Sequence, residues 1–146
     1  MESLHYLLMK SNALFSRMIL SEVSKIGLTS GQPKILDFLL QYQEADQKTI
    51  AAHCEIEQAT VGSILLRMEN AGLVVRRQKD GNRRSLYVSL TEKGVQAATQ
   101  LMDIFQNIEE QATSGLTADE AEALKEILSK MCDTMRSHIV RKKVSL

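Results

Sequence analysis

The sequence predicts a mainly α-helical protein that carries one short β-hairpin. Apolar residues recur at spacings of three and four over long stretches, as they do in amphipathic helices. Only one Pro and seven Gly occur in 146 residues, so few positions interrupt a helix. The segment 73–90 departs from this pattern, with two strand-like runs around a turn signal. The length, with 44% hydrophobic and 25% charged residues, fits a single domain over residues 1–146.

The first two helices are predicted from an apolar stripe and a capping pattern. The stripe comprises Leu4, Leu7, Leu8, Leu14, Phe15, Met18, Ile19, Val23 and Ile26. Gly27 follows it and can end the helix from a left-handed conformation. Thr29 and Gln32 have the spacing of a capping box, and Pro33 is tolerated only near a helix start. The core side chains of this second helix are Ile35, Leu36, Leu39 and Leu40.

A helix-turn-helix pattern follows a polar break at residues 44–47. The sequence predicts a short helix, a tight turn at residues 55–57 and a longer helix that ends at Ala71 and Gly72. The longer helix has one apolar face, made of Val61, Ile64, Leu65 and Met68. Another face carries Thr60, Ser63, Arg67 and Asn70. These side chains suit a helix lying against base edges in a major groove, although many solvated helices share the pattern.

The rest of the chain predicts a hairpin and two long helices. Residues 73–77 and 86–90 are strand-like, and the turn signal at residues 79–82 joins them into a two-stranded wing. Thr91 is placed to cap a helix over residues 92–111, whose inward side chains are Val95, Ala98, Leu101, Met102, Phe105 and Ile108. Thr117 and Glu120 form another capping box. The last helix then carries Leu124, Ile127, Leu128, Met131, Met135 and Ile139.

The charges are unevenly distributed, although Lys and Arg balance Asp and Glu at 18 each. Residues 47–93 hold eight cationic and five acidic side chains, whereas residues 1–46 hold four and five and residues 94–146 hold six and eight. Five of the cations lie between Arg76 and Arg84, on the predicted wing. A basic patch flanked by acidic helices predicts a local contact with a polyanion.

The first twenty residues lack the features of a signal peptide, and no apolar run approaches the roughly 18 residues of a membrane span. The two cysteines, Cys54 and Cys132, make no disulfide framework. We therefore expect a cytoplasmic protein without a membrane association.

The order of these elements resembles the MarR family of bacterial winged helix-turn-helix regulators. The resemblance covers nearly the whole chain and is most specific over residues 58–75 and in the wing segment "RRSLYVSLTEKG". It implies a homodimer joined by residues 1–28 and 94–146, with residues 29–93 as the DNA-binding lobe. It also implies repression at a pseudo-palindromic operator, relieved by a small ligand or by cysteine oxidation.

Two residues depart from the family pattern. Asn82 stands where the family usually has an acidic residue before the paired arginines, and this residue often orients an arginine. Glu55 stands where the turn after the first helix of the helix-turn-helix usually has Gly. The orientation of Arg83 and Arg84 and the backbone at position 55 could therefore differ from the family.

The expected partner is double-stranded DNA. From the longer helix, Gln58, Thr60, Ser63 and Arg67 are the predicted contacts, although Thr60 could simply cap the helix. From the wing, Arg84 and then Arg83 are expected in the minor groove, with Arg77 and Lys79 at phosphates and residues 80–81 shaping the turn. The alternative is a solvated hairpin that is charged for solubility.

Several cysteine, serine and methionine residues could have a sensing or ligand-binding role, or could simply pack in the core. Cys54 shares a face with Ile50 and Ala51, which favours a buried thiol over a redox sensor. Cys132 could lie at a dimer seam. Ser11, Ser16 and a set of methionines could line a cavity for a small apolar or aromatic ligand; that set is Met9, Met18, Met102, Met131 and Met135.

No catalytic grouping, metal-ligand spacing or cofactor motif stands out, because His5, His53 and His138 are scattered along the chain. The sequence therefore favours a regulator over an enzyme. A winged-helix protein-interaction module that has lost DNA binding is the other alternative, and the cationic wing counts against it.

Overall fold

A computed structural model describes residues 1–79 and 82–144, with side chains for residues 1–79 and 86–142. The helices are α1 (Leu4–Val23), α2 (Gln32–Tyr42), α3 (Gln47–Cys54), α4 (Gln58–Asn70), α5 (Glu92–Ala112) and α6 (Ala118–Val144). The strands are β1 (Glu44–Asp46), β2 (Val74–Lys79) and β3 (Asn82–Leu90). The chain forms two compact units, Met1–Ile108 and Glu109–Leu146. The predicted fold class, mainly helical with a small sheet, is confirmed.

The predicted end of the first helix at Gly27 and the predicted cap of α5 at Thr91 are observed. After α1, a turn of 3-10 helix over Ser24–Ile26 leads to Gly27, whose φ of 80° is left-handed. The expected capping box at Thr29 is wrong, because α2 begins at Gln32 with Gly31 as its N-cap; the Thr29 amide nevertheless donates to Gln32 Oε1 at 3.0 Å. The Gly94 amide donates to Thr91 Oγ1 at 3.0 Å. The bond from Gly94 satisfies an amide that the first turn of a helix leaves without a partner.

The capping box at the start of α6 forms in both directions. The Thr117 amide donates to Glu120 Oε1 at 2.9 Å, and the Glu120 amide donates to Thr117 Oγ1 at 3.1 Å. At the start of α3, Asp46 Oδ1 accepts from the Thr49 amide at 2.8 Å, a cap that the sequence prediction did not include.

The core lies within the first unit, between α2, α3, α4, α5 and one face of the sheet. The predicted face of α4 is buried, because Val61, Ile64, Leu65 and Met68 are each at most 3% exposed. Of the predicted core residues of α2, only Leu40 is less than fully buried.

Val95 was expected to face inward and is instead 43% exposed. The inward position in the first turn of α5 is occupied by Gly94, which is buried. A Cβ at this position would clash with the carbonyl oxygen of Leu73, so the absence of a side chain allows α5 to approach the start of β2.

The sheet has three antiparallel strands in the order β1-β3-β2. The polar break expected at residues 44–47 is wrong for Glu44–Asp46, which pair with β3. Three residues with two carboxylates carry no strand periodicity, so tertiary pairing determines this strand. The hairpin of β2 and β3, the wing, is longer than predicted, because β2 extends to Lys79 and β3 begins at Asn82.

In the second unit, α6 exposes its apolar stripe in the single chain. The predicted apolar positions are confirmed as helical, but Leu124, Ile127, Met135 and Ile139 are between 42% and 56% exposed. Among the described helices, none is both long enough and apolar enough to cross a membrane.

Candidate nucleic-acid interface

The turn between α3 and α4 has the left-handed backbone that a glycine would normally supply. Glu55 has φ 55° and ψ 45°, a conformation that is unfavourable for residues with a Cβ. Its amide and that of Ile56 both donate to the carbonyl oxygen of Ala51, which closes the end of α3. Glu55 therefore adopts a backbone conformation that glycine adopts more readily.

The start of α4 is attached to α3 by one side chain. Gln47 Nε2 donates to the carbonyl oxygen of Gln58 at 2.9 Å. A Cβ at Gly62 would come within 3.1 Å of the same amide nitrogen, so the small residue leaves room for this contact. The hydrogen bond fixes the N-terminal end of α4, where Gln58 and Thr60 are exposed.

The side of α4 opposite the core is fully accessible. Gln58, Thr60, Ser63 and Arg67 are all exposed, as their predicted role requires. Helical geometry places them at different angles: Ser63 lies near the centre of this face, while Gln58 and Thr60 lie towards opposite edges.

Two residues at the centre of this face were missed by the sequence prediction. Ala59 and Leu66 lie one helical turn to either side of Ser63. Leu66 is 53% exposed and is the largest side chain there after Arg67. Its spacing of three from Ser63 and four from Asn70 could have indicated the position.

A cavity of about 660 Å³ opens beside α4 within the first unit. Its lining comes from α1, the start of α2 and the segment before it, the turn between α3 and α4, α4 and α5: Asn12, Ser16, Ile19, Leu20, Val23, Thr29, Ser30, Gly31, Pro33, Lys34, Ile56, Thr60, Ile64, Arg67 and Phe105. The candidate Ser16 is among them, whereas Ser11 and the methionines named above are not. Thr60 and Arg67 border both this cavity and the exposed face of α4.

The wing carries cations that are already paired within the chain. Arg77 Nη2 lies 3.4 Å from Glu44 Oε2, and Lys79 Nζ lies 3.2 Å from Glu44 Oε1. These contacts lower the pKa of the Glu44 carboxyl, with the hydrogen bond from Lys79 as the main cause. Both cations remain more than half exposed.

Arg76 has a different environment from its neighbours on the wing. Its Nε lies 3.5 Å from Glu69 Oε2, and its side chain is 18% exposed. This contact joins β2 to the end of α4, which suggests a structural role for Arg76. The side chains of Arg83 and Arg84, and all of Asp80 and Gly81, lie outside the described residues.

Cys54 is a packing residue in this structure. It is 8% exposed, its Sγ lies 3.7 Å from the carbonyl oxygen of Lys34, and burial raises the pKa of its thiol. The adjacent His53 ring packs against Phe38 and Tyr42, with ring centroids 4.8 Å and 5.3 Å away. Cys132, in contrast, is exposed in the single chain. No group of three or more potential metal ligands occurs among the residues with described side chains.

These features define a class of protein. A short helix, a tight turn and a second helix with an exposed face, followed by a cationic hairpin, form a winged helix-turn-helix DNA-binding lobe. Helix α4 and the wing are the parts of this fold that can bind a DNA duplex.

Comparisons with known proteins agree with this class. The model of the MarR family matches residues 28–86. The Escherichia coli homoprotocatechuate degradative operon repressor is 31% identical over 112 residues, covering 74% of this chain and 73% of that protein. The chain belongs to the MarR family of transcription regulators, and it is a DNA-binding regulator.

Solved structures share the fold. The S. aureus MepR–DNA complex has a TM-score of 0.84 at 23% identity, covering 92% of this chain and 99% of that chain. A mutant MarR from E. coli complexed with operator DNA has a TM-score of 0.81 at 23% identity, covering 88% and 92%. The curated relatives are transcription regulators rather than enzymes.

Proposed function

We propose that this regulator is a repressor that binds a pseudo-palindromic operator as a homodimer and acts without catalysis. The observation that carries the proposal is the accessible face of α4 beside a wing on which Arg77 and Lys79 are also accessible. A helix of this kind can read base edges while wing cations contact the backbone. Its site of action would be the cytoplasm, where bacterial DNA is found.

On α4 we assign base-edge contacts to Gln58, Ser63 and Arg67, and a backbone contact to Thr60. Arg67 can donate two hydrogen bonds to guanine O6 and N7, the commonest specific contact in the major groove. Thr60 lies near the helix start, where a phosphate is favoured by the free amides and the helix dipole. Leu66 adds an apolar group that fits the methyl group of thymine.

On the wing we assign Arg84, and then Arg83, to the minor groove. An arginine gains there from the negative potential of a narrow groove and responds to groove width rather than to base identity. Arg77 and Lys79 address phosphates, with Asp80 and Gly81 shaping the turn. The exposure of Arg77 and Lys79, at 66% and 56%, supports their part of this assignment.

The dimer is proposed to form through residues 1–28 and 94–146, with residues 29–93 as the DNA-binding lobe. Support comes from the exposed apolar stripe of α6 and from Leu4, Met9 and Leu14 on α1, which are 55–62% exposed. Exposed apolar stripes on long helices are typical of surfaces that pair with a partner. Two recognition helices must then lie about 34 Å apart to enter successive major grooves.

An effector is proposed to bind in the cavity beside α4. The cavity is lined partly by apolar side chains such as Ile19, Leu20 and Phe105, so a small apolar or aromatic molecule fits its chemistry. Thr60 and Arg67 line the same cavity, so a bound molecule would contact two proposed DNA-binding side chains. A ligand that prefers the DNA-free arrangement of these residues weakens DNA binding by that difference in affinity.

The test is fluorescence anisotropy of purified protein on the DNA upstream of its own gene and on a scrambled duplex, over a series of salt concentrations. The proposal expects tighter binding to the upstream fragment, with affinity that falls steeply as salt rises. Equal, weak binding to both duplexes at every salt concentration would contradict specific binding of the protein to the DNA upstream of its own gene. DNase footprinting of the upstream fragment then shows whether the protected site has two half-sites.

A further inference from the structure

The outer face of the three-stranded sheet carries an acidic strand and a basic strand. Tyr87 on β3 pairs with Asp46 on β1 and with Arg77 on β2, so these three side chains share one face. Glu44 precedes Asp46 by two residues and therefore lies on that face too. The opposite face directs Val74 and Val88 into the core. Glu44, Asp46, Arg77 and Tyr87 therefore lie on the side of the sheet that faces away from the core.

Glu44 reaches across the sheet to the basic strand. β3 lies between β1 and β2, yet the Glu44 carboxylate contacts Arg77 at 3.4 Å and Lys79 at 3.2 Å. The Lys79 ammonium also lies over the ring of Tyr87, 4.4 Å from its centroid. The Glu44 side chain is 23% exposed, so the anion is sheltered beneath two accessible cations.

The neighbouring carboxylate has a separate role. Asp46 accepts the amide hydrogen bond of Thr49 and so caps α3. Its contribution is to the start of the helix-turn-helix rather than to the wing. Among the ion pairs of the described side chains, Glu44 is the acid that faces Arg77 and Lys79, and these are the two cations assigned to phosphates.

We propose that Glu44 is an internal competitor for the DNA phosphates. In the free protein the Glu44 carboxylate pairs with Arg77 and Lys79, so DNA phosphates must replace it as the partner of these two cations. This inference rests on the proposed function, because it assumes that the two cations meet DNA. It adds a residue outside the helix-turn-helix and the hairpin that sets how strongly the wing binds any duplex.

The competition has a defined signature. Phosphates occur in every sequence, so Glu44 lowers affinity for operator and scrambled DNA by the same factor and leaves their ratio unchanged. Its removal raises the positive charge at the phosphate-facing surface by one. The slope of log affinity against log salt should then steepen by up to about 0.9, the value for one neutralised phosphate.

The experiment compares Glu44→Gln with wild type on operator and scrambled duplexes across a salt series. Glutamine keeps the shape of the side chain and removes its charge. We expect affinity to rise about two- to fivefold on both duplexes at low salt, the range for a partly exposed ion pair. Glu22→Gln is the matched control, because Glu22 on α1 pairs at 3.0 Å with Lys25 in the following turn and neither residue is assigned to DNA.

A second comparison tests whether Arg77 and Lys79 cause the gain in affinity. Glu44→Gln is introduced into an Arg77→Ala, Lys79→Ala background, where the proposal expects its effect to disappear. Circular dichroism and thermal denaturation establish that each variant is folded. An equal gain in the Glu22→Gln control or in the double-alanine background would show a general charge effect and overturn the proposal.

A fall in affinity on Glu44→Gln would also overturn it, because Glu44 would then hold the wing in its DNA-binding position. No change on either duplex would have the same consequence. Failure of the proposed function gives a different result, because wild type would then show no preference for upstream over scrambled DNA. The Glu44 comparison uses binding to the scrambled duplex and does not depend on that preference.

Discussion

The helix α4 and the wing both present accessible side chains, but these side chains differ in kind. The exposed face of α4 is nearly neutral, with Ser63, Leu66 and Asn70 at its centre and Arg67 as its cation. The wing strand β2 carries Arg77 and Lys79, which are paired with a carboxylate from another strand. We therefore assign sequence preference to α4 and salt-dependent affinity to the wing, so that either property can be changed without the other.

The largest effect is expected from Arg67→Ala. Loss of a bidentate contact to guanine costs about 1–3 kcal/mol, or roughly 5- to 150-fold, at the cognate base pair and much less on scrambled DNA. Anisotropy on both duplexes measures the ratio. Arg17→Ala removes an exposed arginine of α1 with no assigned DNA contact and serves as control. If operator and scrambled affinities fell equally, Arg67 would be a phosphate contact.

Arg84→Ala should act on all sequences. Removing a cation from the minor groove is expected to lower affinity several-fold on operator and scrambled DNA and to reduce the salt slope by about 0.9. Arg84→Lys keeps the charge but not the planar guanidinium, so it should retain the slope and recover only part of the affinity. A slope that is unchanged in Arg84→Ala would place this residue outside the interface.

A smaller effect is expected from Leu66→Ala. If Leu66 packs on a thymine methyl group, its truncation should cost about 1 kcal/mol, close to fivefold, on the operator alone. Replacing each operator thymine in turn by deoxyuridine removes the methyl group from the DNA side. At one thymine, deoxyuridine should lower the affinity of wild type and leave the affinity of Leu66→Ala unchanged. If deoxyuridine at every thymine lowered the affinities of wild type and Leu66→Ala by the same factor, Leu66 would be solvent-exposed without contacting a thymine.

The smallest effect on DNA binding is expected from Cys54→Ala. The thiol is buried and its pKa is raised, so the reactive thiolate is disfavoured and peroxide should not change DNA affinity through this residue. The native state retains the proton more strongly than the unfolded chain, so this group makes stability fall as pH rises above the ordinary value of 9.0. Cys54→Ala should remove that contribution in urea titrations.

The oxidation experiment needs Cys132→Ser as a companion, because Cys132 is the exposed thiol of the single chain. A loss of DNA binding in peroxide that Cys54→Ala abolishes and Cys132→Ser retains would establish Cys54 as a sensor. That outcome would require the buried thiol to become accessible, and it would contradict the packing role described above.

The helices and their ends could be predicted because they depend on residues close in sequence. Thr29 with Gln32 and Thr117 with Glu120 make hydrogen bonds over three residues, and both pairs are observed. The buried face of α4 likewise follows from helical spacing alone. The helix-turn-helix and the wing were likewise predicted from residue patterns, and the family resemblance added the expected homodimer and operator.

Features that depend on distant residues could not be predicted. Strand β1 exists because Glu44–Asp46 pair with β3, some forty residues later in the chain. Gly94 replaces Val95 on the inner side of α5 because the backbone of Leu73 approaches there. The cavity beside α4 and the Glu44 contacts join several elements each. Only the packed chain brings these groups together.

The most direct test of the separation between α4 and the wing is one salt series of anisotropy measurements on operator and scrambled duplexes with wild type, Arg67→Ala and Glu44→Gln. We expect Arg67→Ala to lower the ratio of operator affinity to scrambled affinity with little change in salt slope. Glu44→Gln should steepen the slope and leave the ratio unchanged. If both variants changed the ratio and the slope together, α4 and the wing would act as one surface, and the proposed separation of roles would be wrong.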